Sequence, residues 1–89
     1  MIFYTVSKSA YEVDLQGKRV RRLRGIGDPM PRIGKDGEWR QYASISAVLK
    51  GLPILIVWTS ETPLHDGSNS WLVPTTLTSN VENITSEEN

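Results

Sequence analysis

Alternation of apolar and polar side chains is clearest between Tyr11 and Leu15, where Tyr11, Val13 and Leu15 are interleaved with Glu12 and Asp14. That period belongs to a strand with one face buried. Gln16-Gly17 then offers a turn, with Gly17 free to take a positive φ. A return strand follows, holding Val20 and Leu23 among Lys18, Arg19, Arg21, Arg22 and Arg24. Val20 and Leu23 are three apart, so strict alternation puts them on opposite faces. A β-bulge near Arg21-Arg22 brings Leu23 back inside. Ile2 to Val6 is β-prone, and three adjacent antiparallel strands are the economical arrangement.

Gly25 to Gly37, with four glycines and two prolines, reads as a long loop ending in an Asp36-Gly37 turn. Trp39, Tyr42 and Ile45 anchor the next segment, at a spacing of three that is helical rather than strand-like. Ser46 to Leu49 reads as one helical turn capped by Ser46 and stopped at Lys50-Gly51 and Pro53. Ile54 to Trp58 is the most hydrophobic run, expected as a central strand covered on both faces. Glu61 to Asn69 reads as a polar loop. Trp71, Val73, Thr75, Leu77, Ser79 and Val81 share one parity, which predicts a long last strand bent at Pro74.

The expected fold is a small, mostly-β antiparallel barrel, SH3-like or OB-like, of five to seven short strands with at most one short helical turn. Residues 1–84 form one β-rich domain, and 85–89 form a flexible tail. The 38% apolar content suffices for one core, and with no cysteine there is neither a disulfide nor a thiolate metal site. The longest apolar run, Leu52 to Trp58, falls far short of the roughly 20 residues a membrane helix needs. The opening residues do not resemble a secretory signal.

Zero net charge hides an asymmetry. The first fifty residues hold all ten cations against five acids, and the remaining thirty-nine hold five acids and no cation. Opposite ends of this kind can steer a partner or align two copies into a homodimer, and they can equally cancel within one fold.

The pattern YEVD, GKRVRRLRG, GKDGEWRQY, then LIVW and TTLTS, resembles a set of small uncharacterised proteins encoded by actinobacteriophages, over Tyr11 to Ser79. The resemblance implies a phage accessory protein made in the host cytoplasm that engages a host protein. It carries over no active site.

No residue pattern points to catalysis. His65 beside Asp66 is a single loop pair, Gly25-Ile26-Gly27 is half a phosphate-binding motif without its helix, and the acids lack metal-ligand clustering. No cofactor is expected, and the chain reads as a non-enzyme. The basic cluster is the candidate site: Arg19, Arg21, Arg22 and Arg24 for electrostatic recognition, with Trp39 as apolar anchor. A nucleic acid is the alternative ligand, with Tyr11, Trp39 or Tyr42 stacking on bases, and a structural protein that self-assembles through the edge of the final strand or its opposite charged ends is the other alternative. The competing account has these cations paired with Glu12 and Asp14 across the hairpin. Trp58 is expected in the core, while Trp71 is a second possible anchor.

Overall fold

The alternating stretches become strands whose inner residues share one core. A computed structural model describes residues 1–29, 32–59 and 75–85, and the backbone of 64–65 and 71–72. The strands are β1 (Ile2–Thr5), β2 (Ala10–Asp14), β3 (Arg19–Arg24), β4 (Arg40–Ile45), β5 (Leu55–Trp58), β6 (Leu64–His65), β7 (Trp71–Leu72), β8 (Thr75–Leu77) and β9 (Val81–Thr85). Seven of them form one antiparallel sheet in the order β8-β5-β4-β3-β2-β1-β9, which curls into a half-barrel. This is the small, mostly-β, barrel-like fold that the pattern predicts. Among the described residues there is no helix, hence none long and apolar enough to cross a membrane.

Strands β8 and β9 lie at opposite edges of the sheet, yet only residues 78–80 separate them in the chain. Curling brings these edges towards each other. Val6 N donates to Asn80 O at 3.0 Å, and the Ser7 and Ser79 hydroxyls meet at 2.5 Å. The enclosed core holds Phe3, Tyr11, Val13, Val20, Tyr42, Ile54, Ile56, Trp58 and Val81, with the Phe3 and Tyr11 rings stacked at 5.1 Å.

Several local expectations are corrected. In the first hairpin turn the positive φ belongs to Lys18 (50°), not Gly17, because the Asp14 carboxylate accepts the Gly17 N–H and holds that residue. The β3 bulge exists, since Tyr11 pairs with Arg22 and Ala10 with Arg24. Leu23 is therefore the unpaired residue and stays half-buried, while Arg22 goes inside. A second bulge, at Ala43 in β4, accounts for the helix-like spacing. It lets Tyr42 face Trp58 and Ile45 face Ile56 on the same side.

Ser46 begins no helical turn. Its N–H and hydroxyl are both engaged by Leu55, as donor and acceptor respectively, extending the β4–β5 ladder. Strand β5 lies next to the edge strand rather than centrally. It alternates, with Ile56 and Trp58 buried and Leu55 41% exposed, because only one face is covered. The expected long last strand is three shorter ones, and the parity is reversed only around β8: Thr76 and Thr78 point inward and Thr75 and Leu77 outward, whereas Val81 at the start of β9 is buried as expected. Inward threonines are tolerated because they are bonded. Trp58 Nε1 donates to Thr76 Oγ1 at 2.7 Å, and Ile54 N to Thr78 Oγ1 at 2.9 Å.

Leu64–His65, within the expected polar loop, pairs with Trp71–Leu72 as a separate two-stranded sheet. The His65–Asp66 pairing, Pro74 and the Trp71 side chain lie outside the described residues. Thr85, assigned to the tail, pairs with Ile2 inside β9.

Candidate interaction surface

Strand alternation and the β3 bulge together decide where each arginine goes. Arg19 and Arg21 face outward opposite Asp14 and Glu12, and form ion pairs with them at 2.9 and 2.6 Å. Trp39, just ahead of β4, lies 4.4 Å from the guanidinium carbon of each. Each cation is thus held by a carboxylate and covers an aromatic ring, an arrangement that leaves little net charge and little free ring surface. Trp39 is half-buried. The Gly17 N–H and Arg19 together hold the Asp14 carboxyl below its ordinary value of 3.8.

Arg22 has a different fate. It is 4% exposed, and its guanidinium bonds Asp36 and the Gly27 carbonyl. A Cβ at Gly25 would come within 2.7 Å of Ser9 Oγ and 2.9 Å of Arg22 Cζ, so glycine is what lets the loop pass there. From this loop Ile33 enters the core and is fully buried. Arg22 is therefore an internal brace for residues 25–37, unavailable to a partner. The Gly27 carbonyl accepts from the Arg22 guanidinium at 2.9 Å, so this glycine-rich turn offers an acceptor to a cation, unlike the N–H groups with which a phosphate cradle meets an anion.

Arg24 is the remaining arginine of the strand. Its residue pairs with Ala10, Ala10 with Tyr4, and Tyr4 with Asn83, so the four share one row on the outer face. Alanine is small enough for Arg24 to reach across it to the Tyr4 ring, 5.7 Å away. Sequence reasoning singled out neither Tyr4 nor Ala10; the signal was the small residue between two large ones, readable only once register was known.

A cleft of about 690 Å³ opens over this row, lined also by Thr5, Lys8, Ser9, Lys50 and Glu82. A bulge in β9 leaves Glu82 unpaired beside Asn83, and Glu82 meets Lys8 at 3.5 Å. Lys50 arrives from the turn at Gly51 (φ 85°), whose N–H donates to Val81 O. Among the described residues Lys18, Arg24, Arg32, Lys35 and Lys50 form no ion pair, and two of these five share this cleft.

Of the three rings expected to stack on bases, Tyr11 and Tyr42 are each 4% exposed and Trp39 lies against two arginines. Burial raises the hydroxyl pKa of both tyrosines above 10.0. No protein-family model, curated protein or solved structure matches the chain.

Proposed function

We propose that this chain is a non-enzymatic protein-interaction module, a phage accessory protein that engages an acidic surface of a host protein in the host cytoplasm. The observation that supports it is Arg24: an exposed residue in a basic strand, without a carboxylate partner among the described residues, beside an open cleft. Arg19, Arg21 and Trp39 form the neighbouring rim, and Arg22 supports it from beneath. An SH3-like scaffold suits this role, since a small curled sheet presents its outer face and loops to a peptide without needing a deep pocket. Charge at such a rim chiefly sets partner choice and association rate.

The nucleic-acid reading has the same cations behind it but lacks uncovered rings for stacking among its expected residues. Capture from an actinobacterial host lysate tests the first reading. Native protein and Lys18→Glu are expected to retain a partner that Arg24→Glu loses, with circular dichroism confirming that both variants fold. Partner lists that ignore Arg24→Glu sink the proposal. Tight binding of a single-stranded oligonucleotide, with a steep loss between low and moderate salt, favours the alternative.

A further inference from the structure

We infer that the cleft over Tyr4 is the recognition site itself, and that its ligand is an acidic peptide segment whose carboxylates bridge Arg24 and Lys50. This rests on the protein-interaction reading above and names the partner's chemistry.

The two cations stand on separate structural supports. Arg24 sits just past the β3 bulge, while Lys50 is brought to β9 by the Gly51 turn. Among the described residues neither has a carboxylate of its own. Between them the floor is Tyr4, whose ring carries the Arg24 guanidinium, and Asn83, whose amide offers a hydrogen-bonding group. The volume falls within the several-hundred-Å³ range of ligand sites and accommodates a short peptide.

Glu82 makes the carboxylate assignment specific. Its bulge position places it in the cleft as an internal acid on Lys8, with both side chains at least half exposed (66% and 50%). An incoming carboxylate meets the same cation and competes with Glu82, whose own charge repels it. The row gives a flat base little to stack on, because Arg24 already lies over the Tyr4 ring.

Fluorescence anisotropy of a fluorescein-labelled hexaglutamate peptide tests the inference at low salt, with a hexaglutamine peptide and a labelled single-stranded dodecanucleotide as comparators. Arg24→Gln is expected to weaken hexaglutamate binding about tenfold and Lys50→Gln about threefold, in the range for charge-assisted contacts on a partly exposed surface. Glu82→Gln is expected to tighten it about threefold by removing the competitor. Lys35→Gln, away from the cleft lining, should leave it unchanged.

No hexaglutamate binding, or loss that is equal for Lys35→Gln and Arg24→Gln, overturns the inference. So does a Glu82→Gln variant that binds more weakly, or preference for the oligonucleotide. If lysate capture still depends on Arg24 while hexaglutamate fails, the interaction reading stands and the acidic-peptide chemistry alone falls.

Discussion

Arg22 Nε donates to Asp36 Oδ1 at 2.5 Å, tying the middle of β3 to a loop residue fourteen positions further on. The guanidinium side is almost fully buried, whereas the Asp36 side chain is 40% exposed. Asp36→Ala strands a buried cation, and we expect a loss of about 2 kcal/mol, below the full penalty of a wholly buried pair because water still reaches one partner. Asp36→Asn keeps an acceptor and should lose about half as much. Urea unfolding midpoints at constant slope check both values; a neutral Asp36→Ala would mean that the brace is dispensable.

Ile33 is the loop's contribution to the core. Ile33→Ala removes fully buried methyl groups and is expected to destabilise the fold by about 3 kcal/mol, with Ile33→Val costing about 1. Hydrogen exchange should show faster opening of residues 32–37 in the alanine variant, with smaller changes in β1 and β2.

The Trp39 contacts lend themselves to a double-mutant cycle. Arg21→Gln, Trp39→Leu and their combination should yield a coupling of about 0.5–1 kcal/mol, the magnitude for a cation over a ring that solvent still reaches. Additivity of the two single changes would show that the ring and the guanidinium are mere neighbours.

Asp14 provides a pH signature. Its folded-state pKa lies below 3.8, chiefly through the Gly17 N–H and then Arg19. A depressed carboxyl stabilises the fold above the ordinary aspartate range, and that contribution fades as pH falls through the folded value. Carboxyl-resolved NMR titration should therefore place the Asp14 midpoint under 3.8, with Arg19→Gln moving it only part of the way back.

Tyr11 and Tyr42 have the opposite sense. Their pKa values lie above 10.0 because burial disfavours the phenolate. The stabilisation is complete below that value and is lost as pH rises through the folded-state pKa. Ultraviolet difference titration should show both ionising late, together with alkaline unfolding. Ionisation of either at or below pH 10 in the intact fold contradicts the packing.

Part of the sheet is visible in the pattern: β2 follows from apolar alternation, which reports directly on one-sided burial, β1 from β-propensity, and β3 as the return strand of the hairpin. What the pattern conceals is the effect of single inserted residues. Leu23, Ala43 and Glu82 each shift register by one, and each shift sends the following side chains to the other face. The Leu23 bulge turns Arg24 outward, whereas Arg22 is buried by plain alternation from Val20, and Thr76 and Thr78 line the interior although β8 carries no bulge. The basic strand was readable as a candidate site, but not its partition. Arg19, Arg21 and Arg22 meet Asp14, Glu12 and Asp36 respectively, and among the described residues Arg24 meets no acid. Nor could the sequence unite Tyr4, Lys50 and Asn83, which come together only through the β1–β9 pairing and the Gly51 turn.

That pairing also sets a schedule. Ile2 is matched to Thr85, so β1 waits for a strand some eighty residues downstream before its outer edge is covered. Long-range closure of this kind is slow compared with local hairpins such as β2–β3. On a ribosome, β1, β2 and β3 can meet early, but β9 emerges near the end of the described chain. Asn83 and Glu82 arrive with it, so the cleft is assembled last. A nascent chain would carry its basic strand without Glu82 and without Asn83, and the cleft would take its shape only when β9 joins the sheet.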